Sequence, residues 1–318
     1  MVAAVLFARV GVTSSQYDTR GPLVVFGVAL SIASYAIAAG SVAWIVSRVA
    51  DSAWPAAAAA FVLIINPNLL YLQSTPATEP LMLGILLLAV AMLVEWCVSR
   101  DMADLKVRTT RTGLAFALAC VTRYEAWLVT GAALVSAVLA RRQERARLSE
   151  AIREVAPMAV YPVVTIGVVF LIHRIGAGQW FARGAVMADN PALAHPWIAA
   201  NQILTGVRTL GGTLTTVIGL VGLIGLLARG LFTGPDAVAL VALAPVAAAA
   251  GPWIASIEGH PQRVRYLVPL LAAQAIGVGA AAARWRQAAP VAAIVVAIIA
   301  ALEIAPMFGA VPMFGVAP

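Results

Sequence analysis

The chain has 318 residues, of which 62% are apolar and only 11% charged, against about 25% charged in an ordinary soluble domain. With a mean hydropathy of +0.93 and long apolar runs throughout, it reads as a polytopic membrane protein with no soluble domain of useful size. A net charge of +7 would point to nucleic acid in a soluble protein, but here the basic residues fall in short loops between spans, where they set topology, and a nucleic-acid partner is excluded.

Apolar stretches long enough to be helical spans run over 22–48, 54–73, 78–98, 156–174, 211–228, 235–256, 266–283 and 288–307. Each approaches the ~20 residues that cross a hydrocarbon core. The expected fold is all-α: one integral membrane domain over 1–318, a transmembrane bundle of about eight full spans plus a short-helix pair over 112–140. Ahead of the first span, the run from Val2 to Phe7 is short and has no basic region before it, so no cleavable signal peptide is read there. "SSQYDTRGP" follows and places Asp18 between Tyr17 and Arg20.

"NPNLLYLQSTPATEPLML" opens the third span. Thr75 can cap a helix and Pro76 suits its first position, where no backbone N–H is needed. Glu79 would then sit in the first turn, where the helix dipole favours negative charge. That reading covers Thr75 and Pro76 better than Glu79, since an ionised group near the membrane is costly unless solvated or paired, and Glu79 is a candidate catalytic or pocket carboxylate.

Basic clusters mark four loops: Arg100, Lys106, Arg108 and Arg111; Arg141, Arg142, Arg145, Arg147 and Arg153; Arg229; and Arg284 with Arg286. All four lie on the cytoplasmic side if residues 112–140 enter and leave on the same side. Two short helices are therefore expected there, about 113–122 and 123–140, with "TRYE" at a turn below the outer interface, in a protein-lined cavity. Thr122 and Glu125 have the spacing of a capping box. Arg123 and Tyr124 lie outside that explanation; Arg123 either pairs with Glu79 or Glu125, or meets an anionic ligand.

The outward segments on this topology are 13–21, 72–79, 175–210 and 257–265. The third ends in "LAHPWIAANQILTGVRTL", with Leu193, Trp197, Leu204, Val207 and Leu210 on one helical face and Asn201, Thr205 and Arg208 on another. This helix either lies in the outer interface or packs on the bundle. In "EGHPQRVRY", His260, Arg263, Arg265 and Tyr266 gather at the start of the next span, against the positive-inside trend. Arginine forks match phosphate oxygens, so a lipid phosphate is the natural partner; snorkelling at headgroup level explains one arginine comfortably and two less well.

Asp189 in the long loop and Glu303 near the outer end of the last span are weaker candidates, Glu303 reading as snorkelled or paired. Cys97 and Cys120 sit in apolar helical stretches, which argues against a disulfide. His173, His195 and His260 have no metal-ligand spacing, and no P-loop is present. No cofactor is called for; a divalent metal is the one open candidate.

"NPNLLYLQSTPATEPLML", "ACVTRYEAWL" and "GHPQRVRYLVPLL", in this order and each beside a span, resemble membrane glycosyltransferases of the C type, in the family 39-like branch of protein O-mannosyltransferases and aminoarabinose transferases. "GAGQWFARG" is similar to the stretch that opens the family's outer loop. The likeness spans roughly residues 22–285. It implies a polyprenyl-phosphate-linked sugar as donor, a hydroxyl on a lipid, glycan or protein as acceptor, and inverting transfer at the non-cytoplasmic face of the cytoplasmic membrane. Arg123, Tyr124, Glu125, His260, Arg263, Arg265 and Tyr266 would meet the donor phosphate. The resemblance also implies a first helix and an outer loop carrying the catalytic acid. Asp18 is the only carboxylate ahead of residue 22, so the expectation is that the chain begins inside that loop and lacks the family's catalytic acid as given, with Asp18 and Glu79 as the candidates in its place. A transporter or flippase of a lipid-linked or anionic solute, and a non-catalytic membrane subunit, are the alternatives.

Overall fold

A computed structural model describes residues 21–98, 102–144, 147–178, 180, 190–232, 236–261 and 263–309. Asp18, the rest of the segment before residue 21, and Asp189 lie outside the described residues. The described residues are helical and contain no strand. In chain order the α-helices are α1 Pro22–Ala50, α2 Ala53–Ile64, α3 Pro67–Gln73, α4 Thr78–Val98, α5 Met102–Thr122, α6 Glu125–Gln143 and α7 Leu148–Ala177. They continue as α8 Pro196–Gly211, α9 Thr213–Phe232, α10 Ala237–Ala242, α11 Ala250–Ile257, α12 Val268–Ala282 and α13 Ala289–Ile304.

Among the described residues seven segments are long and apolar enough to cross a membrane, or eight if the bent pair α2 and α3 counts as one span. The expected span over 54–73 is thus corrected to two helices meeting at 67°. Asn66 causes the break: its Oδ1 accepts the backbone N–H groups of Asn68 and Leu69, and Pro67 opens the new helix. The span expected over 235–256 passes through a 3-10 turn, Ala244–Ala249, between α10 and α11. The short-helix pair is also longer than expected. α5 reaches back to Met102 and α6 on to Gln143; the charged stretch from Lys106 to Arg111 continues α5 instead of looping, its lysine and arginines being compatible with a helix.

α5 and α6 nevertheless form the expected hairpin. Near its tip the indole N–H of Trp127 donates to the carbonyl of Cys120, and the Cys120 sulfur lies 3.5 Å from the Thr130 hydroxyl. At the far end Arg141 donates to the Trp96 carbonyl and pairs with Glu154, while Gln143 donates to the Gly230 carbonyl. Arg229 reaches the Val49 carbonyl there as well. The arginine-rich connections therefore gather at one end of the bundle.

α4 and α12 are the most enclosed spans; α7 and α13 sit at the periphery and expose Val163, Ile175, Val291 and Leu302. Small residues set the closest approaches, as in membrane helix pairs where apolar side chains gain nothing by leaving lipid. A Cβ on Gly84 would run into the backbone of Ser34 on α1, and one on Gly222 of α9 into the carbonyl of Gly277 on α12. Glu303 is a structural group: its carboxylate accepts the backbone N–H groups of Leu214 and Thr215 at 2.7 and 2.8 Å, closing the N-terminus of α9.

α8 packs on the bundle through Ala199, Ile203, Val207 and Leu210. The expected apolar face is therefore shifted. Trp197 points away, at 85% exposure, and Leu204 is half-buried. The Leu210 carbonyl that ends this helix is bound by the amides of Asn66 and Asn68, which pull the face with Ile203 and Val207 inward.

Candidate functional site at the α4 and α5–α6 junction

Three sequence segments meet at the end of the bundle opposite the arginine-rich loops. α4 starts with Thr78 and Glu79, the α5–α6 turn is Arg123 and Tyr124, and the segment before α12 carries Arg265 and Tyr266. The turn forms because α5 stops at Thr122, whose hydroxyl donates back to the Ala119 carbonyl at 2.6 Å. The capping box expected between Thr122 and Glu125 gives way to an ion pair: the residue ahead of α6 is Tyr124, without a side-chain cap, and the Glu125 carboxylate faces Arg123. Thr75 does not cap α4 either. Its hydroxyl donates to the Leu72 carbonyl, and Pro76 packs against Gly27 two residues ahead of the helix.

Arg123 is the hub. Its Nη1 donates to Glu79 Oε1 at 2.6 Å, its Nη2 to Glu125 Oε1 at 2.6 Å, and its Nε to both Glu125 oxygens at 3.1 and 3.2 Å. Nη1 also lies 3.4 Å from the Thr78 hydroxyl. The Arg123 and Glu79 side chains are 12% and 6% exposed and Glu125 is sealed. Bidentate pairing of this kind is what makes a buried guanidinium tolerable. With both carboxylates ionised, the trio carries one net negative charge. Arg123 pairs with both glutamates at once.

Tyr266 joins this trio to the surface. Its ring centroid lies 5.7 Å from the Arg123 guanidinium carbon and 5.8 Å from that of Arg265, and it meets the ring of Tyr124 edge to face at 5.8 Å. Such contacts are attractive because the ring face carries negative charge density. Tyr124, Arg263 and Arg265 are exposed.

The structure thus brings Glu79, Arg123, Tyr124, Glu125, Arg265 and Tyr266 together. His260 and Arg263 lie in the same segment, just ahead of Arg265 and Tyr266. His260 lies 3.9 Å from Glu258 and its carbonyl accepts from Asn190. Arg263 makes no ion pair among the described residues and accepts the Tyr266 N–H through its carbonyl. Thr78 was not among the candidates; a hydroxyl next to a helix-start glutamate gave no signal of an arginine 45 residues on. No group of three or more His, Cys, Asp or Glu that could hold a metal ion occurs among the described residues. Two cavities, of about 570 and 450 Å³, open at the opposite end of the bundle.

An all-helical bundle with seven candidate membrane spans and a buried ionic knot at one end defines a multi-pass membrane protein. No family model matches the chain, and none of the curated proteins or solved structures matches it.

Proposed function

We propose that the chain is a C-type membrane glycosyltransferase that moves a sugar from a polyprenyl phosphate to a hydroxyl of a lipid, glycan or protein, at the non-cytoplasmic face of the cytoplasmic membrane. The observation that carries this reading is the meeting of the three resemblance-bearing segments in one contact set, from Glu79 through Arg123 to Tyr266. The arginine-rich end is assigned to the cytoplasm by the positive-inside trend, which turns the cluster outward.

The acceptor oxygen attacks the anomeric carbon as the bond from that carbon to the phosphate oxygen breaks, and the configuration inverts. The electron pair leaves with the phosphate, whose charge rises by one. Arg265 and Arg263, exposed at the rim, are placed to take up that charge. The acceptor proton passes to Glu79, whose Oε1 is held by Arg123 and on whose Oε2 no donor is seen among the described residues. Arg123 and Glu125 are then positioning residues, a revision of their expected role at the phosphate.

The rival reading, transport of a lipid-linked or anionic solute, draws on the 67° break between α2 and α3 and on the charged break between α5 and α6, since broken helices at membrane depth also line solute sites. The double substitution R263Q and R265Q separates the readings in reconstituted vesicles. Sugar transfer from a polyprenyl-phosphate sugar should fall about a hundredfold with normal folding. Loss of solute uptake alone would support the transporter, and loss of partner assembly alone the subunit.

A further inference from the structure

The cavity of about 570 Å³ lies between α1, α4 and α5 at the arginine-rich end. From Glu79 at the start of α4 to Glu95 on its wall is a run of 16 residues, about 24 Å along a helix, so this cavity is separate from the Arg123 cluster. Its two ends differ in chemistry. Toward the middle of the bundle the walls are Ile37, Leu88 and Met92; toward the helix ends they are Trp44, Glu95, Arg108 and Arg111.

Among the described residues lining it, the one carboxylate is already engaged. Glu95 accepts the Trp44 indole N–H at 3.1 Å and pairs with Arg48 at 2.6 Å. Arg111 is exposed and makes no ion pair among the described residues. Beside it, Thr112 lines the cavity, is 0% exposed, and its hydroxyl has no hydrogen-bond partner among the described residues. Threonine in a helix ordinarily returns its hydroxyl to the preceding turn, as Thr109 does toward Leu105. Thr112 does not, and a buried hydroxyl without a partner points to a group that is bound there.

We infer that this groove is a site for an anionic phospholipid of the cytoplasmic leaflet. Its phosphate accepts from Thr112 Oγ1 and lies against Arg111, with Arg108 beside it, and an acyl chain runs between Leu88 and Ile37. The polar-to-apolar order of the walls matches a leaflet. A basic pocket between spans on this side suits a negative headgroup, and the volume is that of an ordinary ligand site.

The test is native mass spectrometry of the full-length chain in detergent, titrated with phosphatidylglycerol, phosphatidylcholine or inorganic phosphate. Wild type should retain phosphatidylglycerol over phosphatidylcholine, and R111Q and T112V should each weaken that retention about tenfold, the scale of one charge-assisted hydrogen bond. T112V keeps the side-chain shape and removes the orphan hydroxyl. It should therefore melt no lower than wild type in lipid-free detergent and lose only the upshift that phosphatidylglycerol gives wild type. Equal retention of the two lipids, or unchanged phosphatidylglycerol binding in both variants, overturns the proposal. Displacement of bound lipid by millimolar inorganic phosphate would show a free-anion site and overturn the lipid assignment.

Discussion

Arg123 carries a positive charge into an apolar bundle and is held there by Glu79 and Glu125 at 2.6 Å each. Removing it leaves two carboxylates facing each other under 6% exposure or less. R123A should therefore lose about 3–5 kcal/mol of stability, read as a large drop in detergent melting temperature. Glu79 is different, because E79Q leaves Arg123 with a one-to-one partner in Glu125 and keeps a hydrogen-bond acceptor at Oε1. Its melting should stay within about 1 kcal/mol of wild type, which separates a chemical role from a structural one. At this scale the sequence was readable where a polar group had no local explanation: Glu79, Arg123, Arg265 and Tyr266 all stood out against apolar surroundings and all meet. It misled where a local rule offered a cheaper account. Thr75 and the T-x-x-E spacing of Thr122 and Glu125 both read as caps, yet an arginine 44 residues from Glu79 commands both glutamates. No local signal reports a partner at that separation.

Helices in this bundle are placed by their ends and by their small residues. Glu303 closes α9 from α13, 88 residues away at Thr215, so E303A should cost about 1 kcal/mol, the usual loss for an N-terminal cap. Calorimetry or denaturant titration in detergent checks it. Glycines on the same surface scale behave oppositely. G222A puts a methyl group against the Gly277 carbonyl and should lower the melting temperature, whereas G131A, with nothing within 4 Å of the new methyl, should leave it unchanged or raise stability by up to about 1 kcal/mol. The span boundaries were legible because apolarity sets them. The break at Asn66 was not, because the stretch 54–73 is apolar enough for one span and only the Asn-Pro-Asn signal at its centre marks the turn. The length of α5 is hidden for a related reason: the charges of Lys106, Arg108 and Arg111 suit a loop and equally suit a helix that leaves the apolar layer.

The molecule has two chemically distinct ends. One gathers Arg48, Arg141 and Arg229 with their carbonyl and carboxylate partners; the other holds the Glu79–Arg123–Glu125 knot under Tyr266. Cys97 and Cys120 are buried, so an introduced cysteine reports sidedness cleanly. Cysteines at Tyr124 or Arg263 should react with an impermeant maleimide from outside intact cells, and cysteines at Glu144 or Arg286 only after lysis. The inverse pattern would put the cluster on the cytoplasmic face and remove the acceptor chemistry proposed for it. The central claim is that this outward knot works on a phosphate-linked sugar, and one measurement reaches it most directly: transfer of labelled sugar from a polyprenyl phosphate to acceptor by the purified chain in vesicles, wild type against E79Q. The account predicts measurable transfer by wild type and a loss of about 10²–10⁴-fold in E79Q, at unchanged melting temperature. Transfer by E79Q at the wild-type rate would contradict it.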